Sequence, residues 1–135
     1  MPSFGIKVDT SSEEFPCTMK IEGNRLSVPN LAHGGAISAL MDTAMGMLAL
    51  KTSLERNKAA STVELKVNFL SPAKRGEEIV ATSKMVSQGK SLLVISGEAF
   101  EKESKRKVAY AVGTFNMYEV GESSETKKSL EEFGP

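Results

Sequence analysis

Several residue types are scarce in this chain of 135 residues, and each scarcity narrows the class of protein. With a single cysteine, Cys17, no intrachain disulfide framework can form. With a single histidine, His33, a multi-histidine metal site is excluded, and we expect no metal. The 17 basic and 17 acidic residues give a formal charge of zero, so we expect no broad electrostatic binding to nucleic acid.

Long hydrophobic runs are also missing. The longest apolar run has roughly 15 residues and is interrupted by Asp42, which is too short and too polar to span a bilayer. The first 15 residues, MPSFGIKVDTSSEEF, contain no basic region followed by an apolar stretch, so they do not form a secretory signal. We therefore expect one ordinary domain in a soluble cytoplasmic protein with no membrane partner.

The most informative segment that is present reads HGGAISALMDTAMGMLALK, from His33 to Lys51. It predicts a helix from about Gly34 to Leu54 whose apolar residues cover nearly the whole circumference, which is typical of a buried helix. Asp42 is the one charged residue between His33 and Lys51. A buried carboxylate is costly unless it is paired, and burial raises its pKa toward the range of nucleophilic or proton-transfer chemistry. The alternative is a structural acid satisfied by nearby hydroxyl or backbone groups.

Short segments with strand patterns surround this helix. Val63, Leu65, Val67 and Phe69 alternate with polar residues, which is the clearest period-two pattern in the chain. The predicted strands are a hairpin over 16–28 that turns at 22–24, and four strands over 62–70, 78–87, 91–101 and 108–118. Because short turns join the four strands, we expect antiparallel neighbours. The result is an α+β domain over 1–118, a curved antiparallel sheet around one helix, with a polar tail over 119–135.

This order, together with three motifs, resembles the hotdog-fold thioesterases. The motifs are AHGGAISALMDTAMG at 32–46, TVELKVNFLSPAKRGEEI at 62–79 and QGK at 88–90. The likeness is to the phenylacetic-acid-degradation (PaaI-like) branch, relatives of hydroxybenzoyl-CoA thioesterase. It implies a hotdog fold, a curved antiparallel β-sheet wrapped around one long central α-helix. It also implies an acyl-CoA thioesterase that acts as a homodimer or a dimer of dimers. Coenzyme A is then part of the substrate, and no separate cofactor is expected.

The resemblance also assigns roles to residues. The backbone N–H of Gly34 is the expected oxyanion donor, Asp42 the nucleophile or general base, and Thr62 a hydroxyl that helps to hold water. Helix geometry supports a site shared between subunits. The nine residues from His33 to Asp42 advance about 13.5 Å and rotate about 900°, so the two project from opposite sides of the helix. We therefore predict a homodimer with two equivalent composite sites.

The sequence departs from the pattern of this branch just before the helix. The branch has an asparagine six residues before the histidine and a glycine three before it, whereas this chain has Ser27 and Asn30. Asn30 either replaces the missing catalytic amide or caps the approach to the helix, and His33 either belongs to the site or shapes the loop. These departures make a non-catalytic hotdog acyl-CoA-binding module the alternative to an enzyme. A related dehydratase ranks third, because His33 is poorly placed for its chemistry.

The remaining candidates concern substrate binding. We predict that Gly35, Ser27, Lys90 and Met45 contact the substrate. Met45 is a candidate for an adaptable acyl pocket, and Lys90 for the phosphates of coenzyme A. Lys74, Arg75 and the basic run over 102–107 are further phosphate candidates, although such a run is more often a solvated face.

Overall fold

A computed structural model describes residues 5–11, 16–22, 26–28, 31–32 and 34–120. Eight strands and one helix follow one another along these residues. They are β1 (Lys7–Val8), β2 (Cys17–Lys20), β3 (Leu26–Val28), β4 (Leu31–Ala32), α1 (Gly34–Glu55), β5 (Lys58–Phe69), β6 (Glu78–Gln88), β7 (Leu92–Glu101) and β8 (Lys107–Glu119). The predicted polar tail lies outside the described residues from 121 onward, and the domain limit at 118 stays a prediction.

Six of the strands form one antiparallel sheet in the order β1-β2-β6-β7-β8-β5, and β3 pairs with β4 in a separate two-stranded sheet. The six-stranded sheet is strongly curled, and α1 packs against β2, β5, β6, β7 and β8. The predicted fold, a curved antiparallel sheet around one helix, is therefore confirmed.

Two of the predicted strand pairings are wrong. The strands over 16–28 do not form a hairpin, because β2 pairs with β1 and β6 while β3 pairs with β4. Cys17 and Met19 lie opposite Ala81 and Ile79 of β6, and all four are buried, so core packing decides this pairing. β5 is not a neighbour of β6 but pairs with β8 along its whole length, because the connection over 70–77 crosses the end of the sheet. β5 also begins at Lys58, four residues before the start of the predicted strand over 62–70.

The core lies between α1 and the concave face of the sheet. Its centre is Met45, which is fully buried against two glycines, Gly97 of β7 and Gly113 of β8. A Cβ at either glycine would come within 2.9 Å of the Met45 side chain, so the helix approaches this closely only because both positions lack one. The Ser83 hydroxyl donates a hydrogen bond of 3.2 Å to the Ala44 carbonyl and ties the helix to β6.

The prediction of a helix buried all round is only partly correct. One face is buried in the core, through Ala36, Ile37, Leu40, Met41, Ala44, Met45, Ala49, Thr52 and Ser53. The opposite face, which includes Ala39, Thr43, Gly46 and Leu50, is only half-buried, and Asp42 on it is exposed. In the part of the chain that the structure describes, no helix combines the length and apolarity needed to cross a membrane.

Cys17 is a small hydrophobic residue of strand β2. It is fully buried in β2, and burial raises the pKa of its thiol to about 11. Because the thiolate is the reactive form, this cysteine is unreactive at neutral pH.

Candidate active site

Gly34 is the first residue of α1 and is exposed. The N–H groups of the first helical turn have no partner inside the helix, and the helix dipole makes this end positive. A Cβ at Gly34 would lie 3.4 Å from the Phe69 ring, at the end of β5. The Gly34 N–H therefore lies at the positive end of the helix beside the Phe69 ring, which suits a developing negative charge on an oxygen.

Asp42 lies about two turns further along the same helix. Its side chain is exposed and forms no hydrogen bond or ion pair with any described residue. The expectation of a deeply buried carboxylate is wrong, because α1 packs only its other face against the sheet. Partial loss of hydration beside the small and apolar residues of this face still raises the pKa of Asp42 above its ordinary 3.8. A water-accessible carboxylate with a raised pKa can act as a nucleophile or as a general base.

Gly34 and Asp42 do not converge within one chain. Eight helical residues advance about 12 Å along the axis and leave the two positions about 80° apart around it. A hydrogen-bond donor and an attacking group must both lie within about 3 Å of one thioester carbon or its oxygen. One copy of α1 therefore cannot supply both groups to the same substrate.

Thr62 lies on the helix side of β5. It pairs with Phe115 of β8, and directly opposed residues of antiparallel strands point to the same face. Phe115 is buried against the core, so Thr62 also faces the helix side, although its own side chain is exposed. A bulge between Thr62 and Glu64 leaves Val63 as the extra residue, 61% exposed. The Thr62 side chain is therefore on the helix side of the sheet, and its role with water stays a prediction.

Four further predicted residues precede or open α1. Asn30 and His33 lie outside the described residues, and Ser27 is described only as part of the β3 backbone. Gly35 follows Gly34 in the first turn of α1. Their predicted roles stay predictions.

Lys90 and Met45 lie away from the helix start. Lys90 is exposed in the β6–β7 turn. That turn packs at the far end of α1, where Arg56 donates a hydrogen bond of 2.8 Å to the Gly89 carbonyl. Met45 is a core residue of the single chain, with no exposed surface. Any contact of either residue with substrate therefore stays a prediction.

A cavity of about 380 Å³ opens beside Gly34, and the sequence analysis missed it. It is lined by Gly34, Ile37, Phe69, Leu70, Ser71, Pro72, Ala73 and Val108. In the sequence, residues 71–76 read only as a turn. The one feature of the sequence that points to this cavity is Phe69, the last apolar residue of the period-two strand. Its proximity to Gly34 depends on how β5 crosses the helix, which the sequence does not show.

The loop that lines this cavity is held by Arg106. Its guanidinium donates hydrogen bonds of 2.8 Å to each carboxylate oxygen of Glu77 and one of 2.9 Å to the Pro72 carbonyl. Neighbouring lysines of the same basic run are also paired, Lys102 with Glu78 and Lys107 with Glu98. The description of this run as a solvated face is therefore wrong for Arg106, whose guanidinium is a structural anchor.

Comparison with known proteins identifies the family of this chain. The model of the thioesterase superfamily matches residues 30–108, which include the helix start, Asp42, β5 and the cavity loop. The chain belongs to the thioesterase superfamily. This membership makes it a thioester hydrolase, and it confirms the resemblance on which the sequence analysis relied.

The relatives agree with this assignment. Acyl-coenzyme A thioesterase 13 of Mus musculus is 32% identical over 102 residues, which cover 76% of this chain and 71% of that protein. The medium/long-chain acyl-CoA thioesterase YigI of Escherichia coli is 26% identical over a match that covers 84% of this chain and 81% of that protein. The structure of the E. coli PaaI protein from the phenylacetic acid degradation operon superposes with a TM-score of 0.76 at 24% identity, covering 86% and 81%. That last likeness concerns the hotdog fold.

Proposed function

We propose that this thioesterase hydrolyses acyl-CoA thioesters at two equivalent sites, each built from the Gly34 of one subunit and the Asp42 of another. The observation that carries the proposal is the placement of these two groups on one helix. Both are exposed, both lack a partner among the described side chains, and about 12 Å of helix separates them. A second, antiparallel copy of α1 brings the donor of one chain to the acid of the other. The names of the mouse and E. coli relatives support a coenzyme A thioester as substrate.

The free edge of the sheet supports a dimer. β5 is a strand of 12 residues at the end of the sheet, with one side paired to β8 and the other unpaired among the described residues. Native proteins avoid long bare edges, because unpaired N–H and C=O groups readily pair with another chain. Three apolar side chains near this edge, Val63, Phe69 and Leu70, are each more than half exposed. A second copy that pairs along β5 satisfies the edge and covers these side chains.

The reaction follows from the two groups. The substrate carbonyl oxygen accepts a hydrogen bond from the Gly34 N–H, which stabilises the negative charge that develops on this oxygen. Asp42 of the other subunit either removes a proton from water as the water attacks the carbonyl carbon, or attacks that carbon itself. The carbon–sulfur bond then breaks, and the thiolate of coenzyme A takes up a proton. In the second route, water cleaves the resulting anhydride and releases the acid.

The role of Thr62 in this reaction is to hold the attacking water. Its hydroxyl lies on the helix side of the β5 edge strand. A hydroxyl both donates and accepts, so it orients water without changing the charge of the site. We expect Thr62→Ala to lower kcat more than it changes KM.

Release of free thiol from a panel of acyl-CoA substrates tests the proposal. The wild-type protein is compared with Asp42→Asn, and with Glu55→Gln as a control for an exposed acid on the same helix. We expect Asp42→Asn to lower kcat by about 10²–10⁴-fold and Glu55→Gln to leave it unchanged. Full activity of Asp42→Asn would remove this carboxylate from the mechanism.

The second candidate is a non-catalytic acyl-CoA-binding module. It is favoured by Ser27, which stands where the branch has an asparagine. The same panel decides between them, because a binding module takes up acyl-CoA but releases no thiol.

A further inference from the structure

We propose that Glu64 and Lys66 of β5 form ion pairs with Lys66 and Glu64 of the partner subunit, and that these two pairs fix the register of the interface. This inference rests on the proposed function, because it concerns the second subunit that the shared site requires. Charged groups that complement each other across an interface set its register and disfavour wrong partners. In this chain the register also decides which side chains of the partner subunit reach Gly34.

Glu64 and Lys66 carry opposite charges that the single chain does not pair. Both side chains are exposed, and neither forms a hydrogen bond or ion pair with a described residue. Leu65 between them packs against the core, so the two charged side chains point to the outer face of the sheet. Their neighbours on β8, Thr114 and Val112, carry no charge. An opposite charge beside them therefore has to come from the other side of β5, which is a free edge among the described residues.

Twofold symmetry reduces the choice of register to the position of the axis along β5. In an antiparallel pair of identical strands, the residue on the axis lies opposite its own copy, and the residues on either side of it exchange places. The axis has to pass through a residue, because an axis between residues would oppose an outer-face side chain to a core-facing one.

Among the axis positions from Val63 to Val67, only Leu65 pairs these charges favourably. Glu64 of each chain then lies opposite Lys66 of the partner subunit, and the interface contains two such pairs. An axis at Glu64 or Lys66 opposes a charge to its own copy, which destabilises a pair of strands. An axis at Val63 or Val67 leaves both charges opposite uncharged residues.

The same axis position brings Thr62 into the site of the other chain. Val63 is the extra residue of a bulge, so Thr62 and Val67 of the partner subunit oppose each other on the helix side. Phe69 of the partner subunit, two residues beyond Val67, is a diagonal neighbour of Thr62 at about 7–8 Å. The Phe69 ring lies 3.4 Å from the position of a Cβ on Gly34 of its own chain. The charges of the outer face and the site residues of the inner face therefore favour one register.

Charge reversal tests the ion pairs. Glu64→Lys and Lys66→Glu each oppose like charges at two places in a homodimer, whereas the double variant with both substitutions restores opposite charges. The two single variants complement each other when mixed, because every opposed pair in their heterodimer is attractive. Lys84→Glu is the matched control, because Lys84 is an exposed lysine of the outer face on β6, away from the free edge of β5.

Sedimentation velocity at low salt, where surface charges are screened least, measures the dimer Kd of each variant. We expect each single reversal to raise Kd about tenfold to hundredfold, and the double variant and Lys84→Glu to stay within about threefold of wild type. Native mass spectrometry of the two single variants, one labelled with heavy nitrogen and both refolded together, should show about nine-tenths heterodimer. A heterodimer fraction near the statistical one half, or wild-type Kd values for both single reversals, would overturn the inference.

A disulfide locates the axis without any change of charge. Leu65→Cys places two thiols directly opposite each other, with Cα atoms about 4.5–5.5 Å apart, a separation that a disulfide can span. Asn68→Cys is the control on the same strand, because its two copies lie about 20 Å apart in this register. The native Cys17 is buried and does not compete. We expect mild oxidation to link most Leu65→Cys chains and few Asn68→Cys chains, and equal or reversed linking of the two variants would contradict the axis position.

Thiol release from acyl-CoA is measured in parallel and reports on the proposed function. A wild type that hydrolyses acyl-CoA and loses activity in Asp42→Asn, but whose dimer ignores these charges, keeps the proposed function and rejects the register. Charge-dependent pairing in a protein that releases no thiol supports the register and rejects the proposed hydrolysis.

Discussion

The polar groups around Arg106 satisfy one another within the chain, whereas Asp42 on the open face of α1 has no partner among the described residues. Glu77 accepts two hydrogen bonds from Arg106, and Glu101 accepts two from backbone N–H groups at 2.8 and 3.0 Å. These contacts lower the pKa of both carboxyls. Asp42 forms no such bond with a described residue, and its pKa is raised by partial burial alone.

The difference between these carboxyls separates side chains whose charge stabilises the fold from a side chain whose charge is available for a reaction. A carboxylate that the fold has paired contributes to stability and is not free to meet a substrate. A carboxylate that the fold leaves unpaired, at the cost of some hydration, is available for chemistry. The same contrast holds for strands, because among the described residues β7 and β8 are paired on both sides and β5 on one. The unpaired acid and the unpaired strand edge lie on the portion of the molecule that a second subunit completes in the proposed dimer.

The largest effect should come from adding charge to the open edge. Val63 lies near the middle of β5, so a twofold pairing along this strand brings the two copies of this residue close together. Val63→Lys should weaken the dimer by at least about tenfold in Kd and lower activity with it. Val86→Lys is the control, because Val86 is equally exposed at 60% but lies on β6, away from the β5 edge. Light scattering and thiol release measure both effects, and an active monomeric Val63→Lys would contradict the shared site.

The raised pKa of Asp42 should set the acid limb of the activity profile. Its carboxylate form is required, and burial favours the protonated form, so activity falls as pH drops through a value above 3.8. Below that value kcat/KM should fall about tenfold per pH unit. The measurement is the pH dependence of kcat/KM. If the midpoint of the acid limb of kcat/KM lay at or below pH 3.8, the group that titrates there would not be Asp42.

Substitutions among the hydrogen-bonded residues around Arg106 should lower the free energy of unfolding and leave the catalytic step unchanged. Arg106→Ala removes several hydrogen bonds to charged and backbone acceptors and leaves Glu77 with the Lys74 N–H as its remaining donor, which should cost about 1–2 kcal/mol of unfolding free energy. Lys102→Ala removes a single exposed ion pair and should cost no more than about 0.5 kcal/mol. Urea unfolding measures both variants. Similar losses in the two would show that Arg106 is no more than a surface charge.

Glu101 should give a smaller, pH-dependent contribution to stability. Backbone hydrogen bonds from Glu103 and Ser104 hold its pKa at about 2, below its ordinary 4.5. Because the folded-state pKa is lowered, the contribution is complete above about pH 4.5 and is lost as the pH falls toward 2. Glu101→Gln should therefore be less stable than wild type at about pH 6 and closer to it at about pH 3. A difference that does not change with pH would contradict this assignment.

The sequence predicted the parts of this molecule that depend on local pattern. The helix boundaries are confirmed within a residue, because Gly34-Gly35 opens the segment and its apolar content is continuous. The strands over 78–88, 92–101 and 107–119 are confirmed to within a few residues because their turns are short and polar. The hotdog fold followed from the resemblance carried by the AHGG motif and the strand after it.

The features that the sequence did not predict depend on tertiary packing. The exposure of Asp42 depends on which face of α1 meets the sheet, and an apolar helix gives no sign of that. The pairing of β5 with β8 depends on a crossing connection that short-turn reasoning ignores. The role of Arg106 depends on Glu77, which is 29 residues away. The cavity beside Gly34 combines three separate segments, and no local pattern links them.

The shared site is tested most directly by mixing two inactive variants. Gly34→Pro removes the donor N–H at a helix position that accepts proline, and Asp42→Asn removes the acid. If each site uses Gly34 of one chain and Asp42 of another, a mixed dimer contains one intact site and one doubly defective site. Refolding the two inactive proteins together in equal amounts should restore about one quarter of wild-type activity. If the mixture stays as inactive as the separate variants, both groups act within one chain or not at all, and the account is contradicted.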